Sequence, residues 1–382
     1  MQRLFINSLF LAPLQRSVPF DALVNAKEDM LPFSVIELID SALMLAVALS
    51  IAYISGDKLI YYGACVAFIS VLTFFMKYGW CRYAYKDYCI QLNTYRGKFI
   101  IKEMVGFTGW NLFAGLAMIG RNQGVAVIIN IFLGTIANAA YGVANQINGA
   151  LGHFSATFQK AINPQLMKSE GMNDRNRLFR ISFISSKFSV LALAFFAVPF
   201  IMEMNEVLTL WLKDDIPPFT LKLAQYILLL SITYQYSVGI MAAIQATGKI
   251  RNYQIIMGSL LLMNVPIAYF ILKMGYSVYY TTIAFVILEL ISLCVRLFMA
   301  NKLTGMSVKE YIQNVIQPTM IIIVIPVIVA MIPHFVMSNS FLKLVIVCSI
   351  YCLLFAVLMF RFAFDEGQRE HIKSKIQHLL KR

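Results

Sequence analysis

Charge is scarce in this chain: Asp, Glu, Lys and Arg make up 13% of its 382 residues, while 59% are hydrophobic. That balance, with apolar runs recurring from end to end, excludes a water-soluble globular domain. There are four histidines and six cysteines. The cysteines, at 65, 81, 89, 294, 348 and 352, form no CxxC and have no histidine pairing nearby, which argues against a zinc site and leaves no cofactor or metal to expect. The opening residues lack the basic start, apolar core and small-residue cleavage site of a secretory leader. No soluble domain separates the apolar runs; the longest intervening segment, about 77–104, is too short and too rich in Tyr, Lys and Arg to fold as one. A membrane enzyme such as a polymerase or acyltransferase would need acid, base or nucleophile groups within mutual reach. Only a modest loop at 203–219 is on offer, with His334 alone in a separate short loop, so an enzyme is not expected.

What is present is a series of membrane-length apolar runs. A bilayer crossing takes roughly 20 mostly apolar helical residues, and the sequence predicts an all-α, polytopic membrane helical bundle with about eleven spans. They fall near 4–24, 31–54, 59–76, 105–133, 136–161, 181–202, 221–246, 253–272, 278–295, 315–333 and 342–360. The net charge of +13 would suggest nucleic acid in a soluble protein. Here it collects in alternate loops, around 77–102, 160–187, 249–251, 296–309 and 361–382, and only Lys58, Lys213, Lys273 and Lys343 fall in the opposite set. By the positive-inside rule the basic set, and with it the C-terminus, is cytoplasmic, and no nucleic-acid partner is expected. The tail 365–382 is basic and partly amphipathic, suited to anionic lipid headgroups.

Against this apolar background the stretch 105–170 stands out, because its two spans carry Arg121, Asn122, Gln123, Asn130, Asn138, Asn145, Gln146, Asn148, His153 and Gln159. Polar side chains are costly in hydrocarbon, so such residues face a bundle interior or a wet cavity. At helical spacing Asn138, Gly142, Asn145, Gly149, Gly152 and Gln159 share one face, with Tyr141 and Asn148 at its edge. This stripe suits hydrogen bonding to sugar hydroxyls; it equally suits close helix–helix packing, for which membrane helices use small and amide residues. Arg121 lies mid-span, where a guanidinium is able to hold a diphosphate through bidentate bonds; an internal ion pair with Glu289 or Glu37 is the other reading. Glu37 and Asp40, three residues apart, and Glu289, deep in its span, are candidates for binding a coupling proton or sodium ion. A charged pair serving the basic loops explains Glu37 and Asp40 as well.

Four runs carry a family resemblance: DKLIYYGACVAFISVLTFFMKYGWCRYAY at 57–85, YGVANQINGALGHFSATFQKAINPQLMKSEG at 141–171, EVLTLWLKDDIPPFT at 206–220 and QATGKIRNYQIIMG at 245–258. They resemble the polysaccharide-transport branch of the multidrug/oligosaccharidyl-lipid/polysaccharide exporter superfamily, the O-antigen or lipid-linked oligosaccharide flippases. The resemblance implies a MATE-like transporter of two six-helix lobes with two appended C-terminal helices, open alternately to the two membrane faces. In that layout residues 1–104 are the remainder of the N-terminal lobe plus a cytoplasmic linker, 105–303 the second lobe, 304–364 the appended pair and 365–382 the tail. The first span here resembles the family's fourth, so three helices of the first lobe are expected to be missing. The implied activity is flipping of an undecaprenyl-diphosphate-linked oligosaccharide across a bacterial inner membrane for surface polysaccharide synthesis. A polysaccharide polymerase and a chain-length regulator are implied partners, beside membrane lipids. The substrate-binding residues would be Arg121, Asn138, Asn145, Asn148, His153 and Gln159, with Glu37, Asp40 and Glu289 for ion coupling. Two alternatives stay open: a cation-coupled drug exporter of the same superfamily, and an inactive truncated remnant.

Overall fold

A single α-helix of 74 residues would be about 110 Å long, several times the hydrocarbon core of a bilayer, and the helical run Lys98–Gly171 has that length. It is not one rod. Gly134 adopts φ 79°, ψ −176°, a conformation that glycine enters without steric cost, and there the run folds into two arms, 98–133 and 135–171. The computed structural model describes residues 18–27, 31–51, 58–85, 98–213, 215–338, 340–364 and 369–370. The expected first span at 4–24, the middle of the expected linker and nearly all of the basic tail lie mostly outside them.

Two compact units divide the chain, Met1–Gly97 and Lys98–Arg382. The first holds α1 (Val18–Lys27), α2 (Leu31–Ser50) and α3 (Lys58–Ala84). Asp40 of α2 accepts a 2.8 Å hydrogen bond from Thr73 of α3, and Ser50 meets Tyr61 at 3.3 Å, so α2 and α3 form an antiparallel hairpin. Lys77, read as a loop charge, lies inside α3 instead; buried there, it bonds Asp21 of α1 at 2.7 Å and sits over the Phe33 ring.

The second unit contains α4 (Lys98–Gly171), α5 (Arg175–Met202), α6 (Met204–Leu212), α7 (Thr220–Gln235), α8 (Val238–Ala246), α9 (Arg251–Leu262), α10 (Asn264–Lys273), α11 (Val278–Thr304), α12 (Val308–Tyr311), a π-turn (Ile312–Ile316), α13 (Gln317–Val336) and α14 (Phe341–Phe362). Contacts fix their directions. The first arm of α4 runs parallel to α9–α10, since Asn111 bonds Gln254 at 3.0 Å and Phe132 meets Tyr269 at 5.5 Å. The second arm runs antiparallel to α5, through Phe154 on Phe196 and Phe158 on Phe188. Strands of contact from α5 to α7–α8 (Ile201 with Gln225, Ser186 with Gly239) are antiparallel. Those from α7 to α11 (Phe219 with Tyr279, Ser237 with Arg296) are parallel. Against α5, α13 is parallel and α14 antiparallel: Glu203 meets both His334 and Lys343, Phe183 meets Tyr311, and Tyr351 donates to the Ala194 carbonyl. The unit is therefore a serial up-and-down bundle. One end carries Lys168, Arg175, Lys249, Arg251, Lys302 and Lys309; this basic end is opposed by a far end that carries Gly134, Glu203, Lys273 and Lys343.

Eight helices are long and apolar enough to cross a membrane, or up to nine if the bent pair α7–α8 is one span, with α4 counted once although it folds back. The chain is thus a multi-pass, all-helical protein of membrane type among its described residues. Every expected span after the first has a helix at its place, with ends that differ by several residues. The 40° bend between α7 and α8 frees backbone groups, and in a bilayer these must find partners inside the protein. Ser186 accepts from the Gly239 N–H at 3.0 Å, and the Tyr311 hydroxyl bonds the Tyr236 carbonyl. Gly239 is needed for the approach: a Cβ there would stand 2.0 Å from the Ser182 carbonyl oxygen.

Candidate functional site

Two groups of polar residues stand out within the spans of the second unit, one turned inward and paired, one left on an open helix face; besides them, the Ser182, Ser185 and Ser189 hydroxyls of α5 and the Asn148 and Asn264 carbonyl oxygens are buried without a hydrogen-bond partner among the described residues. The inward set centres on α11. Glu289 and Arg296, seven residues and two helical turns apart, share a face and are both buried, with side chains 7% exposed. Arg296 bonds Glu289 and donates to Ser237 Oγ at 2.8 Å, and its guanidinium lies 5.6 Å from the centre of the Tyr234 ring. Its Nε has no partner. Arg296 had been counted with the loop charges; the structure places it inside the bundle, because α11 continues to Thr304. Glu289 thus has an internal counter-charge that spacing alone did not reveal.

Arg121 stands half-buried on the first arm of α4, and its Nε donates to Asn122 Oδ1 at 3.1 Å. Among the described residues no carboxylate lies in ion-pair reach of it.

A second inward cluster joins the second arm to α7. Ser155, fully buried, donates to Gln235 Oε1 at 2.7 Å, and the Gln159 amide donates to both at 3.1 Å. Gln159, read as part of the sugar-binding stripe, is instead turned inward as a packing amide.

The rest of the stripe behaves differently. Gly142, Asn145, Gln146, Gly149, His153 and Thr157 are exposed, whereas Asn138, Asn148 and Gly152 are half-buried at the edge and Tyr141 is buried. At 100° per residue these exposed positions form one continuous arc, rotated slightly from the face expected from Asn138 and Gln159. Asn145 bonds back to the Tyr141 carbonyl at 2.8 Å, and Thr157 to the His153 carbonyl at 2.9 Å. The side chains of Gln146 and His153 make no hydrogen bond among the described residues. The glycines distinguish the two readings of the stripe within this unit. A Cβ added at Gly142, Gly149 or Gly152 would meet nothing within 4 Å, whereas one at Gly258 would lie 2.6 Å from the Phe113 ring and one at Gly124 3.1 Å from Val265. Gly124 and Gly258 serve helix packing; the stripe glycines leave their face open.

At its basic-end side this arc reaches a cavity of about 640 Å³ between the second arm, α5 and α14. Phe154, Phe158, Phe188, Phe195, Phe196 and Phe355 supply most of the wall, and His153 and Thr157 are its polar members. Of the ion-coupling candidates of the first unit, Asp40 is turned to Thr73 and Glu37 is exposed.

A third polar cluster was missed from sequence. At the far end Glu203, 2% exposed, has His334 Nδ1 at 2.7 Å and Lys343 Nζ at 3.8 Å. His334 is therefore not alone in a loop; it belongs to α13 and is fastened to the end of α5. The fold and these clusters define a multi-pass helical membrane protein with an open polar face. No known protein family, curated protein or solved structure matches the chain.

Proposed function

We propose that this chain is a transporter that moves a lipid-diphosphate-linked oligosaccharide from one leaflet to the other by alternating access, in a bacterial inner membrane with its C-terminus cytoplasmic. One observation carries the reading: the open polar arc of α4, from Gly142 to His153, continues at His153 and Thr157 into the phenylalanine-walled cavity. A polar helix face exposed within a membrane-length span calls for a wet route, and amides and an imidazole are hydrogen-bonding groups suited to hydroxyls. The adjoining apolar wall suits the hydrocarbon part of an amphiphile. Arg121, with no carboxylate in ion-pair reach among the described residues, favours an anionic group, and a guanidinium binds phosphate oxygens bidentately. In the resemblance noted above, the same chemistry belongs to an undecaprenyl-diphosphate-linked repeat unit.

The test is flipping in proteoliposomes by the full chain, using a polyprenyl-diphosphate-linked oligosaccharide with a fluorescent label on the sugar and a membrane-impermeant quencher outside. Wild-type protein should make the label move between leaflets. Arg121→Ala should slow this by roughly tenfold or more, the scale of a lost charge-assisted contact. A wild-type rate equal to that of protein-free liposomes, with uptake of an aromatic cation in the same vesicles, would replace this reading with the drug-exporter one.

A further inference from the structure

We propose that Glu203, His334 and Lys343 form a pH-sensitive fastening that ties the α13–α14 hairpin to the far end of α5. Three separate chain segments converge on one carboxylate. Glu203 closes α5 and opens α6, with its N–H bonded to the Pro199 carbonyl and its own carbonyl bonded to the Val207 N–H; its position is therefore fixed by backbone as well as side chain. His334 comes from the last turns of α13 and Lys343 from the first turn of α14. Each brings one nitrogen to a different oxygen of the carboxylate, 2.7 Å and 3.8 Å away.

The exposures give the cluster a direction. Glu203 and Lys343 are buried, 2% and 6% at the side chain, while the His334 side chain is 27% exposed, so the imidazole reaches the surface at the far end and the carboxylate does not. Imidazole is the side chain that ordinarily changes charge between about pH 5 and pH 8. When neutral with its proton on Nδ1, His334 holds Glu203 by one hydrogen bond; when protonated it holds it by a charge-assisted bond, roughly twice as strong. Acid tightens the fastening and alkali loosens it. Of the other titratable groups at this end, Glu206 faces Asn205 at 3.5 Å, Lys222 lies over the Tyr279 ring at 5.2 Å, Lys213 and Asp215 are exposed, and the Cys348 thiol is one turn deeper on α14 within the field of Glu203. The same helix α14 supplies Phe355 and Met359 to the cavity wall, so the fastening governs how firmly that wall is held, whatever the chain carries.

Hydrogen–deuterium exchange of the full chain in lipid nanodiscs, corrected for intrinsic rates, tests this. In wild type, amide protection at the end of α13 and the start of α14 should fall several-fold as the pH is raised from acid to alkaline. In His334→Gln, which keeps a neutral amide donor, protection should stay at the lower level at acid and alkaline pH alike. His334→Arg, permanently charged, should hold it at the higher level. PH-independent protection in wild type, or an equal pH dependence in wild type and His334→Gln, would overturn the proposal.

Discussion

The two polar regions of the second unit differ in residue type and in how they are partnered. Around Glu289 and Arg296 the charges are buried, paired and backed by Ser237; along Gly142–His153 Asn145, Gln146 and His153 are exposed and a Cβ on any of the glycines would meet nothing within 4 Å. Both sit in membrane-length helices, where unpartnered polarity is costly. The difference teaches that partners, more than polarity, separate structure from pathway: a polar group satisfied within the bundle holds helices together, and one left open needs water or a solute.

Substitutions should separate the two regions, and the largest effect belongs to the buried pair. Arg296→Met leaves Glu289 buried without its counter-charge and should cost about 3–5 kcal/mol of stability, whereas the double variant with Glu289→Leu should recover most of it. Thermal unfolding in detergent measures both, and equal losses in the single and double variants would break the distinction. Next come the glycines. Gly239→Ala drives a Cβ toward the Ser182 carbonyl and should cost about 1–3 kcal/mol or more, while Gly149→Ala, which meets nothing, should be neutral or stabilising by up to about 1 kcal/mol. The smallest stability change belongs to the open face: Asn145→Leu with Gln146→Leu should shift stability by less than about 0.5 kcal/mol, yet lower flipping in the vesicle assay. A stability loss comparable to that of Gly239→Ala would make the face a packing surface.

Much of the bundle was legible in the sequence because apolar length is a local property. The fold-back at Gly134 follows from two span-length runs abutting at 133–136, and within the second unit Lys168, Arg175, Lys249, Arg251, Lys302 and Lys309 collect at one end as alternation requires. Partnership was less legible. Arg296 is separated from Glu289 by two turns and stands beyond the point where the apolar run weakens, so it read as a loop charge until α11 was seen to continue to Thr304. Glu203 and His334 are 131 residues apart, and nothing local in either segment announces the other. Gln159 shares the spacing of the stripe but lies on its inward edge; only the position of Gln235 on α7 decides that it packs.

The most direct test of the open face is thiol accessibility in intact membranes. In a background free of the six native cysteines, single substitutions Asn145→Cys, Gly149→Cys and His153→Cys would be treated with a charged, membrane-impermeant maleimide, beside Val127→Cys and Ile131→Cys on exposed apolar positions and Ser155→Cys in the packed cluster. Because the thiolate is the reactive form and forms only where water reaches, positions 145, 149 and 153 should label and positions 127, 131 and 155 should not. If 145, 149 and 153 were as unreactive as 127, the arc would face lipid or protein, and a solute route along α4 would be contradicted.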